Sequence, residues 1–184
     1  MKNFRLFIFL ALVYFSLTGC TKESSVDNTN ILSQKIFFQY EYVNYAWGFQ
    51  HHGWFIDSTG NVYSYNLPEN DAWKKGDENG VISASDLNEN LSKANLTGYR
   101  INTGELASKV DLINKAKLGE ITEPVWAAAD AGAMIYSCYT YDSSTKSYKK
   151  ILLKQLGDYR ADNKSKSADY LYKWMESVKV HLVP

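Results

Sequence analysis

Residues 35–67 read KIFFQYEYVNYAWGFQHHGWFIDSTGNVYSYNL, and the way this stretch pairs decides the fold. From 35 to 46 apolar and polar residues nearly alternate, with Ile36, Phe38, Tyr40 and Tyr42 on one side and Phe37, Gln39, Glu41 and Val43 on the other. Bulky residues on both sides predict a long strand at the centre of a sheet that is covered on both faces. Residues 53–56 and 61–65 are rich in aromatic and β-branched side chains and flank Asp57-Ser58-Thr59-Gly60, which predicts a hairpin. Gly60 supplies the positive φ that such a turn needs. Extended to Trp73, the stretch holds twelve of the twenty-two aromatic residues from position 20 onward, so a ring-rich sheet is expected.

Downstream, three amphipathic helices are predicted. The first covers 84–93, where Ser83 and Asp86 have capping-box spacing and Leu87, Leu91 and Ala94 form the apolar stripe. A second, over 105–118, is capped by Thr103 and stopped by Gly119, with Leu106, Val110 and Ile113 on one face. The third covers 168–179 behind Ser167 and buries Leu171, Trp174, Met175 and Val178. A second hairpin is expected from 134–141 and 147–155 around a turn at 142–146. Residues 68–79 read as loop with Trp73 as an anchor, 125–132 as strand or loop, and 180–184 as a short edge strand. The order strands, two helices, strands, helix predicts one α+β domain over 35–184, an antiparallel sheet of about five strands backed by two or three helices.

Twenty basic residues balance twenty acidic ones, so the chain lacks the surplus cation of a phosphate-binding surface and nucleic acid is not an expected partner. The densest basic cluster, Lys146, Lys149, Lys150 and Lys154, reads as a solvated strand face that discourages edge pairing. Residues 1–20, MKNFRLFIFLALVYFSLTGC, begin with Lys2 and Arg5, continue with an apolar run over 6–17 and end in small residues before a cysteine. That run is too short for a membrane-spanning helix, which takes about twenty residues, and reads as a secretory signal. Leu17-Thr18-Gly19-Cys20 resembles the lipobox of bacterial lipoproteins. The resemblance implies removal of residues 1–19 as a signal peptide, a diacylglyceryl group on Cys20, and acylation of the new amino end by a palmitate-like chain.

Each buried methylene of such chains adds about 0.8 kcal/mol to membrane binding, so several chains anchor a protein firmly. Thr21 stands where some lipoproteins carry an Asp that retains them at the inner membrane. Lys22-Glu23 is similar to the short charged surface-export signals of Bacteroidota lipoproteins. The resemblance therefore implies a lipid-anchored place in the cell envelope, at the outer membrane of a Gram-negative bacterium. Residues 20–34 read as the lipidated cysteine and a polar tether, whose span is about 20 Å.

Several constellations carry chemistry. Residues 77–87 look like the later part of an EF-hand loop, with Asp77, Asn79, Ser83 and Asp86 at oxygen-donating positions. Lys75 stands where the first ligand belongs, and the same residues also read as an Asn-Gly turn followed by a capped helix, so no metal is expected. His51 and His52 are adjacent, so on a strand their rings point to opposite faces, His52 with Trp54 and Ile56, His51 with Phe55 and Asp57. An imidazole beside Asp57 would serve as a general base. Cys138, mid-strand between Ser137 and Tyr139, reads as a buried inert thiol. Glu123, Asp130, Asp158 and Asp162 are candidates for a glycosidase carboxylate pair. Asp57-Ser58-Thr59 resembles the short O-glycosylation acceptor of Bacteroidota.

No cofactor is expected, because phosphate-binding glycine loops and nucleophile elbows are missing from the sequence. The leading expectation is a membrane-anchored, non-catalytic domain that binds a glycan or a protein with the residues Tyr40, Tyr42, Trp47, His51, His52, Trp54, Tyr63 and Tyr65, with Tyr45 as a further ring that could stack. The rival is an envelope hydrolase using His51 or His52 with a carboxylate, and a purely structural envelope protein is the third reading.

Overall fold

The computed structural model describes residues 34–69 and 72–182. The leader, Cys20 and the tether as far as Ser33 lie outside the described residues, but Gln34, expected to close the tether, already belongs to the fold. Its buried amide donates to the carbonyls of Ile36 and Tyr139 and accepts from the Tyr141 N–H.

The architecture is α+β, with nine strands where about five were expected. β1 (Ile36–Asn44), β2 (Gln50–Asp57) and β3 (Asn61–Leu67) form the predicted meander. Then come β4 (Val81–Ser83), α1 (Ala84–Ser92), β5 (Asn95–Arg100), α2 (Thr103–Val110), α3 (Ile113–Lys117) and β6 (Val125–Trp126). β7 (Ala133–Asp142) and β8 (Ser147–Gly157) make the second hairpin, and β9 (Tyr159–Asp162) and α4 (Lys166–Val180) complete the order. The strands run β5-β3-β2-β1-β7-β8-β9-β6, every described pairing antiparallel, with β4 beside the first part of β8. No helix among the described residues is long and apolar enough to cross a membrane.

β1 is central, paired to β2 and β7, as its two-sided bulk predicted. A bulge between Ile36 and Phe38 reverses the expected facing at its start. Phe37 packs into the helix-covered core with Phe38 and Tyr40, while Ile36 packs on the opposite face. On the first face α2, α3 and α4 cover Phe38, Tyr40, Trp54, Tyr136 and Leu153, with Trp174 of α4 edge-on to Phe38 at 4.9 Å. On the second face α1 and Trp73 cover Phe55, Tyr65, Tyr139 and Tyr148.

Of the four strands beyond the expected five, β6 lies in 125–132, read as strand or loop, and β4, β5 and β9 fall where no strand was expected; all four are short or exposed. β5 is an edge strand, mostly exposed and bent at Gly98 (φ +82°), and β4, β6 and β9 hold two to four residues, too few for alternation to register. The helix expected over 105–118 is two pieces, with the cap at Asn102 rather than Thr103. Leu112 and Lys115 take tight i→i+3 bonds from the break, which turns the chain so that Leu106 and Ile113 both reach the core. The last helix starts at Lys166 behind Ser165, and its helical run to Val180 replaces the edge strand expected over 180–184, whose last two residues lie outside the described ones.

Gly53 on β2 faces a space taken by others. A Cβ there would sit 2.1 Å from the Tyr40 carbonyl oxygen and 2.6 Å from the Tyr65 hydroxyl. The missing side chain lets Tyr65 lie flat across β2 and bond to the Tyr40 carbonyl at 3.3 Å. Gly53→Ala is expected to lower stability by about 1–3 kcal/mol, because backbone and a buried ring must both move. Urea unfolding would read this as a lower midpoint at unchanged slope; a midpoint equal to the parent's would refute it.

Candidate functional site

Among the described residues, two of the clefts with polar groups in their lining touch β1. The first is on the sheet face under α1. Glu41 on β1 sits opposite Gly53, and Val43 sits opposite His51, so Glu41 and His51 are diagonal neighbours on one face of the hairpin. Their side chains meet, His51 Nε2 lying 2.8 Å from Glu41 Oε1. The other carboxylate oxygen, Oε2, accepts from Lys150 Nζ of β8 at 2.8 Å, reaching across β7. Burial by itself would raise the Glu41 carboxyl. The adjacent Lys150 charge and the hydrogen bonds from His51 and Lys150 overcome it and hold the group at about 2. An ionised carboxylate only accepts, so the proton between Glu41 and His51 resides on Nε2.

Burial pushes the Lys150 ammonium down, but Glu41 pulls it above its ordinary range. Tyr139 is raised by burial to about 12, and Tyr65 well above its usual value, so both stay neutral donors. Tyr139 donates to Gln39 Oε1, and Gln39 Nε2 donates to the Tyr65 hydroxyl at 3.1 Å. These groups form a polar layer inside the sheet, and a cleft of about 330 Å³ opens over it, lined also by Trp73 and Lys75. His51 does not line this cleft; Trp73 packs on it at 5.0 Å, Tyr65 at 5.8 Å and Phe49 at 6.2 Å. The arrangement fixes charge. A carboxylate held at about 2, with both oxygens occupied, carries no proton to give near neutrality.

The second place is the end of the sheet. Val43 pairs with Ala133 and Ala133 with Gly157, which sets the end of β1, the start of β7 and the end of β8 side by side. Four rings stand exposed in this region: Tyr45 (68%), Trp47 (76%), Trp126 (65%) and Tyr159 (49%). Tyr45 and Tyr159 border a cleft of about 250 Å³ with Gln155 and Asp158, and Trp126 is the direct cross-strand partner of Tyr159. The frame is well tied. Asn44 Nδ2 donates to the Asp130 carbonyl at 3.0 Å, Asn44 Oδ1 accepts from Ala46 N–H at 2.8 Å, and Asp158 Oδ1 accepts from the N–H groups of Ala131 and Gly132. Among the described residues Asp158 Oδ2 and the Gln155 amide make no hydrogen bond, which leaves them for a ligand.

Of the residues expected to bind, Tyr40, Trp54 and Tyr65 are core side chains and His51 is buried, which corrects the expectation of a ring platform on the sheet. A two-faced sheet needs bulk on both sides, and these rings supply it. Tyr42 stacks on His52 at 4.8 Å, both half-buried, and burial, then Lys179, then His51 lower the His52 imidazole. Tyr63 is half-buried, donating to Asp57 Oδ2 at 3.1 Å. Only Trp47 of the eight stands fully in solvent. Trp126 and Tyr159 were missed, while Tyr45, expected as a further ring, is exposed. Tyr45 and Trp47 carried a signal, since bulky rings beside Gly48 in a hairpin connection have no strand to fill.

Other candidates resolve plainly. The partner of His51 is Glu41, and Asp57 instead holds its own turn through Thr59 and Asn61. The EF-hand-like oxygens are occupied by turn and cap, Asp77 Oδ1 accepting from Asn79 and Val81, and Ser83 Oγ capping Asp86 N at 3.1 Å. Among the described residues no three His, Cys, Asp or Glu side chains are grouped to hold a metal. Lys150 is not part of a solvated face, and Lys154 pairs with Asp162, since β8 is flanked on both sides and is no edge. Cys138 is fully buried, and burial pushes its thiol up. No family model matches the chain, and neither a curated protein nor a solved structure matches it.

The charge layer predicts an acid limb. The folded value of Glu41 is about 2 against 4.5 ordinarily, so its stabilisation is complete above about 4.5 and is lost as pH falls toward 2. The loss over that window is about 3 kcal/mol. Urea midpoints measured from pH 6 to pH 2 are expected to fall, and Glu41→Gln to flatten that fall while lowering the neutral-pH midpoint. An unchanged acid slope in the variant would remove Glu41 as its source.

Proposed function

We propose that this chain is a membrane-anchored, non-catalytic binding domain that takes carbohydrate at the cell envelope, with Tyr45, Trp47, Trp126 and Tyr159 as its stacking surface. The observation that carries the reading is the exposure of these four rings at one end of the sheet, where Tyr45 and Tyr159 border a cleft with an unbonded carboxylate oxygen and amide. A large ring held in water is a cost unless something covers it, and the pattern of flat apolar faces beside a few hydrogen-bonding groups suits a sugar, whose C–H faces are apolar and whose edges are hydroxyls.

The position of the rings supports the same reading. Gln34 enters at the start of β1 and the rings lie at its far end, nine residues on. At about 3.3 Å per residue the strand separates them by about 30 Å. A tether from Cys20 to Gln34 would therefore hold the rings on the side of the domain away from the lipid, toward glycans beyond the membrane. The lipobox-like Leu17-Thr18-Gly19-Cys20 supplies the anchor in this reading.

Affinity electrophoresis of the full chain in gels containing envelope or host polysaccharides tests the binding. At least one polysaccharide is expected to retard the protein, and Trp47→Ala or Trp126→Ala to weaken that binding about tenfold, equal to 1.4 kcal/mol per ring. Because both side chains are exposed, the melting temperature should stay within a degree or two of the parent. Equal retardation of parent and variants, or of neither, would refute the site. For the anchor, Cys20→Ala is expected to move the protein out of the membrane fraction and abolish labelling by a palmitate analogue. Continued labelling would place acylation elsewhere.

A further inference from the structure

The cleft over the Glu41–Lys150 pair shares only Val43 with the sheet-end cleft and has its own chemistry. Its floor is polar, formed by Gln39, Glu41, Tyr139 and Lys150, and one wall is the indole of Trp73. Trp73 lies nearly parallel to Phe55, 16° apart at 6.0 Å, so core packing holds the ring that borders the cleft. Its volume of about 330 Å³ fits a small molecule.

The sign of the charge open to a ligand follows from the hydrogen bonds. Glu41 has both oxygens occupied, by His51 and Lys150, and Asp77 Oδ1 is bonded within its own turn. Lys74 pairs with Glu89 at 3.5 Å. Lys150 uses one ammonium proton on Glu41, and its side chain, 28% exposed, lines the cleft with further protons to donate. Lys75, exposed at the rim, makes no ion pair among the described residues. Glu41 therefore has no oxygen left to offer, Asp77 keeps Oδ2, and Lys75 and Lys150 keep ammonium protons to donate.

We infer that this cleft binds a small carboxylate with a flat apolar body, the carboxylate between Lys150 and Lys75 and the body against Trp73. An anion here completes the donors of two lysines, whereas a cation would find both Glu41 oxygens taken and only Asp77 Oδ2, on a lining that also holds Lys75, to receive it. Val43, Ile82 and Ile135 complete the apolar lining that faces the body of such a ligand.

The probe is benzoate, set against benzamide, its neutral isostere, in a titration of the isotope-labelled full chain followed by NMR. Benzoate is expected to shift the Gln39, Lys75 and Lys150 amides and the Trp73 indole saturably, and benzamide to bind at least about tenfold more weakly, as the loss of charge-assisted bonds implies. Added NaCl should weaken benzoate and leave benzamide unchanged. Lys150→Met alone would strand Glu41, so the informative change is the pair Glu41→Gln with Lys150→Met, which removes both charges together and keeps the volume. That double variant is expected to keep a dispersed spectrum and to bind benzoate no better than benzamide. Lys75→Ala, at the exposed rim, should cost severalfold, and Trp47→Ala nothing. Equal affinity for the two probes, shifts confined to other regions, no saturable shift, or full benzoate affinity in a folded Lys75→Ala protein would overturn the inference.

Discussion

A carboxylate sealed in the middle of a sheet has to be paired, and Glu41 is paired twice, by His51 from β2 and by Lys150 from β8. Adjacent strands are about 4.8 Å apart, so a contact from β1 to β8 must cross β7, a span of about 10 Å that only a long side chain bridges. Lysine does so, and its methylene stem crosses the sheet face while the ammonium ends on the carboxylate. The result is a lateral tie across four neighbouring strands, added to backbone bonds that join each strand only to the next. Desolvation opposes a buried pair of this kind, and losing one partner costs several kcal/mol because the other charge is left buried alone. Register is the property it defends, since a one-residue slip of β8 would send Lys150 to the other face.

The tie works because the layer around it is closed. Gly53 leaves room for Tyr65, whose hydroxyl joins Gln39 and through it Tyr139, and Trp73 packs over His51. Every ring in this layer is therefore consumed in shielding charge. The opposite face is equally spent, with Trp174 and Met175 of α4 and Leu106 of α2 filling the space over Phe38, Tyr40 and Tyr136. With both faces covered, the clefts that reach β1 open where strands end and where the cover over the charge layer stops short. Those are the ring-lined end of the sheet and the cleft beside Trp73.

Much of this was legible in the residues alone. The two-sided bulk of 36–43 pointed to a central strand, Gly60 to the hairpin turn, and Ser83 with Asp86 to the capped start of α1, because each signal is a local property of a few neighbouring residues. The diagonal meeting of Glu41 and His51 was also within reach, since a hairpin loop over 45–49 sets residue 44 against 50 and so 41 against 53. The third partner was not. Lys150 lies 109 residues away, and its cluster of lysines looks the same in sequence whether it faces water or a buried acid.

The residues alone specified the α+β class, both hairpins and the Ser83 cap of α1, because hydrophobic period, turn glycines and capping side chains act within a few residues of where they stand. Tertiary structure alone decided which rings are core and which are surface. Tyr40, Trp54 and Tyr65 are the same kind of residue as Tyr45, Trp47 and Tyr159, and only the helices and loops that pack over the sheet, and the strand ends they leave uncovered, separate the two groups. Burial is a property of what lies across the sheet, and that partner is distant in the chain.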